Sequence, residues 1–173
     1  QLEETRRSAR GQYAQLSELL TATAAGLGEV RATAGEADLC RIGAALRPKE
    51  GETVCGDTVV SFRTEGGLLC LLLADGMGSG EAARRESALT CRLLEQFLQA
   101  GIEPEAAMKT LNAAMALRGA ETGSFTTIDL ITCRPETGEA AFFKYGAAPR
   151  YVKKGGTVRR ITGGTLPAGL RGG

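Results

Sequence analysis

The residues best placed to do chemistry lie in one short stretch. Residues 71–87 read LLLADGMGSGEAARRES: an apolar run ends in a carboxylate, Asp75, and Gly76, Gly78 and Gly80 follow at alternate positions. A helix-forming run begins at once. Bare glycines between a strand and a helix can cradle a phosphate on backbone N–H groups, or can let a carbonyl turn toward a cation. The third glycine comes one residue early for the G-x-G-x-x-G of a dinucleotide loop. Asp75 argues against a phosphate as well, because a carboxylate beside that anion repels it unless a cation lies between them. A metal site accounts for both features, with Asp75 supplying hard oxygen donors and the Gly76 carbonyl another.

A second carboxylate supports this reading. Asp57, in CGDTVV, opens a short run, Asp57–Arg63, which "EGG" at 65–67 joins in a hairpin to Leu68–Ala74. In an antiparallel pair the start of one strand lies beside the end of the next, so Asp57 and Asp75 should meet at one ion cluster. Read by itself, Asp57 is better taken as a turn residue after glycine.

Other chemistries are excluded by what is missing. The chain has no histidine, which removes Ser-His-Asp and Cys-His catalysis, His-ligated zinc and phosphohistidine chemistry. None of the five cysteines has Arg six residues on, as a cysteine phosphatase needs, and no Asp is followed two residues later by an acid. No G-K-[ST] phosphate loop occurs. Hydrolysis would have to rest on carboxylates, metal ions and water. Cys40, Cys55, Cys70, Cys91 and Cys133 are scattered without a C-x-x-C pair and read as reduced, packed thiols.

The elements that must position these acids follow from periodicity. Residues 1 to about 26 read as a helix with a narrow apolar stripe, a linker that could also dimerise, and Gly26 and Gly28 end it. Strands are expected at Leu39–Leu46, Asp57–Arg63 and Leu68–Ala74. Two helices follow, Glu81 to about Ala100 and Pro104 to about Arg118. A meander of four strands comes last: Phe125–Cys133, Glu139–Tyr145, Arg150–Lys153 and Thr157–Ile161. This is an α+β layout with antiparallel sheet stacked against helices. Asp129 and Glu139 read as a strand and a turn residue, and Ser124, Thr126 and Thr127 as structural. In 173 residues, Lys+Arg 21 against Asp+Glu 20 gives a net charge of +1 and no electrostatic case for nucleic acid. The longest apolar run, Leu68–Ala74, is too short to span a bilayer.

The set GDTVV, LLADGMGSGEAARRES, SFTTIDL, FFKYGAAPRYVKKGG and TLPAGL, spread over about residues 38–170, closely resembles the sporulation-type phosphatases of the PP2C (PPM) family of metal-dependent serine/threonine phosphatases. The resemblance implies a PP2C-like antiparallel β-sandwich flanked by helices, at 37–173, preceded by the linker helix at 1–28. It implies two Mn²⁺ or Mg²⁺ ions, with Asp75 bridging both, the Gly76 carbonyl on one and Asp57 holding the second or its water. It also implies a phosphoserine anti-sigma factor antagonist as substrate, whose dephosphorylation activates a forespore sigma factor. The region 81–118 would act as a regulatory switch, in a cytoplasmic domain of a membrane-anchored protein. A later D-G motif of the family, whose Asp is a metal ligand, has no counterpart before Gly173, so an incomplete domain with weak metal binding and turnover is expected. Arg41 and Arg63 are the candidates for cradling phosphate. The alternative is a non-catalytic pseudophosphatase or partner-binding module with the same sandwich.

Overall fold

The computed structural model describes residues 40–169. The helix expected at 1–26, its role as a linker or dimerising element, and the domain boundaries expected at 28 and 37 lie outside the described residues.

Six strands and two helices make up the described chain: β1 (Asp57–Arg63), β2 (Leu69–Gly76), α1 (Gly80–Gln99), α2 (Pro104–Thr122), β3 (Thr126–Arg134), β4 (Glu139–Tyr145), β5 (Arg150–Lys154) and β6 (Thr157–Ile161). Strands β1 to β4 form one antiparallel sheet in the order β1-β2-β3-β4. Side chains alternate across it. Thr58 and Phe62 on β1, Cys70, Leu72 and Ala74 on β2, and Ile128, Leu130 and Thr132 on β3 are buried on one face. Helix α1 covers that face with Ala83, Ser87, Thr90, Cys91, Leu94 and Leu98, a three- and four-residue spacing that makes one continuous stripe. Helix α2 packs against α1 through Ala107, Met108, Leu111 and Met115. Pro104 starts it without losing a needed N–H, and Gly123 ends it at φ 68, with its N–H on the Gly119 carbonyl at 2.7 Å.

Two expectations need correction. Residues 40–46, expected as most of a strand, carry no regular structure and are exposed, with Ile42 and Leu46 open to solvent. Gly43 interrupts that run and Pro48 follows it, and no strand of the described sheet pairs with it, so its alternation earns no ladder. The four-strand meander also splits. Only β3 and β4 join the large sheet, whereas β5 and β6 make a separate two-stranded ribbon. The division falls at Gly146, whose φ of 62 turns the chain away and whose N–H bonds Thr165 O at 3.1 Å. Any side chain on Gly146 would run into Pro167. Thr165 Oγ1 donates to Lys144 O at 2.7 Å, and Ala168 pairs with Thr126. Thus K-Y-G (144–146) and L-P-A-G (166–169) interlock, which explains both motifs as the closure around the ribbon.

Candidate metal centre

Asp57 is the first residue of β1 and Asp75 the last but one of β2, and the register sets them directly opposite, Asp57↔Asp75. The expectation drawn from the hairpin therefore holds at the level of single residues. Both lie on the face of the sheet that α1 does not cover, because their neighbours Thr58 and Ala74 are the buried ones. Asp75's carboxyl is held above the ordinary carboxylate range by partial burial first and by the neighbouring Asp57 charge second. Two acids forced together in this way form a site that a cation relieves.

The neighbouring glycines contribute in two different ways. Gly76 was expected to let the backbone bend, yet its φ is not in the left-handed region. What it provides is room: a Cβ there would sit 2.1 Å from Ala83 O, so only glycine lets the backbone of α1 pass over the end of β2. A Cβ on Gly56 would likewise meet the Ala83 side chain at 2.8 Å. Gly78 and Gly80 are the conformational ones, at φ 95 and 66.

Helix α1 then ties down the acid end of β1. Ser87 Oγ donates to Gly56 O at 2.6 Å and shares a 2.6 Å hydrogen bond with Thr58 Oγ1. Arg84 Nη1 donates to Asp57 O at 2.8 Å and Thr58 Oγ1 at 3.3 Å. At the helix N-terminus, Ser79 Oγ donates to Glu52 Oε1 at 2.5 Å, which sets a carboxylate against the positive end of the helix dipole. Arg118, on α2, reaches Glu86 on α1 at 2.6 Å, so the second helix is coupled to the turn that grips Asp57.

Of the two arginines singled out from sequence, Arg63 does not reach the acids. Arg63 closes the opposite end of β1, paired with Leu69, about 20 Å from Asp57 for six residues of strand. Arg41 lies in the exposed, irregular segment. Sequence reasoning missed Arg84 and an ion cluster on the acidic face, in which Asp129 meets Lys144 at 2.8 Å and Arg150 at 2.5 Å. A cavity of about 370 Å³ lies elsewhere, between the β1–β2 hairpin and the α1–α2 loop, and contains neither Asp57 nor Asp75.

Among the described residues no group of three or more His, Cys, Asp or Glu could enclose an ion. The paired carboxylates are hard oxygen donors with no thiolate or imidazole beside them, a donor set suited to Mn²⁺ or Mg²⁺. They provide part of a coordination sphere. Cys70 and Cys91 face the helix side, with their thiols pushed up by burial, Cys70 to about 11, so they do not compete as ligands.

The profile of the stage II sporulation protein E (SpoIIE) family matches residues 65–173. The chain belongs to this family. It is 37% identical over 128 residues to stage II sporulation protein E of Priestia megaterium, covering 74% of this chain and 22% of that protein. The corresponding protein of Bacillus subtilis is 33% identical over 128 residues, covering 74% of this chain and 15% of its own length. Among solved structures, the PP2C phosphatase domain with a regulatory-domain fragment of SpoIIE from Bacillus subtilis superposes with a TM-score of 0.65 at 32% identity, covering 74% of this chain and 38% of that one. Phosphoserine phosphatase RsbX of Bacillus subtilis is 33% identical over 81 residues, 47% of this chain and 39% of that protein. The chain thus spans about a fifth of the SpoIIE proteins it matches, and its α+β fold is PP2C-like. No helix among the described residues is long and apolar enough to cross a membrane.

Proposed function

We propose that this chain is the phosphatase-bearing part of a sporulation-type, metal-dependent protein serine phosphatase. Its substrate would be a phosphoserine anti-sigma factor antagonist, and dephosphorylation would activate a forespore sigma factor. The observation that carries the reading is the Asp57↔Asp75 pairing at the open end of a sheet whose family is SpoIIE. Asp75, Asp57 and the Gly76 carbonyl would hold the metal ions.

The protein's own residues do the holding. Ser87 and Arg84 fix the start of β1, and the Gly76–Ala83 contact fixes the end of β2, so the two carboxylates keep their spacing without a ligand. Bound there, Mn²⁺ or Mg²⁺ would supply a water acidic enough to serve as nucleophile at neutral pH and would neutralise phosphate charge. The chain has no histidine to serve as a general base near neutrality. The full protein would be membrane-anchored, with this domain on the cytoplasmic side.

Calorimetric titration of Mn²⁺ into the chain and its Asp75→Asn variant tests this reading. Binding that vanishes in the variant, together with Mn²⁺-dependent hydrolysis of a small phosphomonoester, supports it. Cation binding without hydrolysis would favour the pseudophosphatase instead.

A further inference from the structure

The register places a second charged row beside the acid pair. Asp75 faces Thr127 on β3, and Leu73, two residues earlier, faces Asp129, which in turn faces Lys144 on β4. Residues two apart share a face, so Asp129 is the diagonal neighbour of Asp75, a separation of roughly 7–8 Å in such ladders. Arg150 enters the same row from the first residue of the β5–β6 ribbon, with its guanidinium carbon 5.1 Å from the centre of the Phe142 ring.

This row holds two cations and one anion, and it is enclosed. Side-chain exposure is 4% for Lys144, 12% for Asp129 and 15% for Arg150. Its donors are not used up. Lys144 Nζ, Arg150 Nη1 and Asp129 Oδ1 are all buried without an aligned hydrogen-bond partner, although Lys144 and Arg150 lie close to Asp129. A buried guanidinium edge without an acceptor is costly and calls for a second anion.

We propose that Lys144 and Arg150 form the anion-recognition half of the site, with Arg150 Nη1 taking an oxygen of the phosphoryl group presented at Asp57 and Asp75. Asp129 is a positioning residue that holds both cations in place. The proposal rests on the phosphatase reading above and names its phosphate-binding residues. It also gives the ribbon a role, since Arg150 makes a two-stranded element, separate from the main sheet, into one wall of the substrate site.

The test uses two titrations on the full chain and on Arg150→Gln and Arg150→Lys, with Mg²⁺ alone and then with O-phosphoserine at saturating Mg²⁺. Thermal unfolding checks that each variant is folded, and Arg150→Lys, which keeps the charge beside Asp129, serves if Arg150→Gln does not fold. The expected result is Mg²⁺ affinity within about twofold of the parent and phosphoserine affinity weakened roughly tenfold or more, the range of a charge-assisted hydrogen bond. Unchanged phosphoserine affinity with Mg²⁺ binding intact overturns the proposal and leaves the metal reading standing. Equal loss of both affinities also overturns it, because Arg150 would then only hold the sheet together. If the parent takes no Mg²⁺ but binds phosphoserine through Arg150, the metal reading fails and the anion site survives; binding of neither removes both.

Discussion

The two faces of the four-stranded sheet are built from the same strands and serve opposite ends. Under α1 lie Thr58, Cys70, Leu72, Ala74, Ile128 and Leu130, all buried, with Thr58 Oγ1 hydrogen-bonded to Ser87 Oγ. The other face carries Asp57, Asp75, Asp129 and Lys144 beside half-buried apolar residues such as Val59 and Leu71, and Leu73 there is 41% exposed. Strand alternation therefore puts the paired acids on odd positions of β1 and β2 and the fully buried side chains on even ones. Helix α1 reaches the acid end of the sheet through Gly56, Gly76, Ala83, Arg84 and Ser87. That is why a helix remote from the carboxyl groups can govern their spacing.

This division can be broken from the covered side. Leu72→Ala removes a fully buried side chain from a central strand and should cost about 2–5 kcal/mol in urea unfolding. Mn²⁺ affinity of the protein that stays folded should not change; a matching loss of affinity would show that the faces are not separate. Gly76→Ala comes next and acts at the joint. Its new Cβ would collide with the Ala83 backbone, so the end of β2 must move away from α1, at about 1–3 kcal/mol. Unlike Leu72→Ala, it should weaken Mn²⁺ binding as well, because Asp75 moves with its neighbour. Stability loss without any change in affinity would remove Gly76 from the site.

Ser87→Ala is the smaller test of the same joint. It leaves Gly56 O and Thr58 Oγ1 short of a partner in a buried place, at about 1–3 kcal/mol. The joint is also where sequence reading and structure part company. Asp57, Asp75 and their meeting were legible because a two-strand hairpin with a short turn fixes its own register. The strands and helices were legible from periodicity to within a few residues, α2 running on to Thr122 where an end near Arg118 was expected. The reason for Gly76 was not legible, since close approach of Ala83 depends on how a helix packs and leaves no local mark. Nor was the Lys144–Asp129–Arg150 row, whose members come from three strands and meet only through pairing across the sheet and the turn at Gly146. The segment 40–46 failed for the converse reason: it has the alternation of a strand and no partner to pair with.

The smallest effect should carry the opposite sign, and it sharpens the contrast most. With a chelator present, Asp75→Asn removes a carboxyl group whose pKa is raised by burial and by Asp57, and so relieves repulsion on the chemical face. The folded chain binds this proton more tightly than the unfolded chain does. Stability contributed by the group is therefore full below the ordinary carboxylate value and is lost as pH rises through the raised value. The parent should lose urea resistance relative to Asp75→Asn across that window and stay behind it at neutral pH. Adding Mn²⁺ should reverse the order, since only the parent gains from an ion that binds the folded state. A variant less stable than the parent at neutral pH without metal would mean that Asp75 belongs to the structural side of the sheet. The crossing of the two curves on adding metal is what a carboxylate kept for function, against the interest of the fold, should produce.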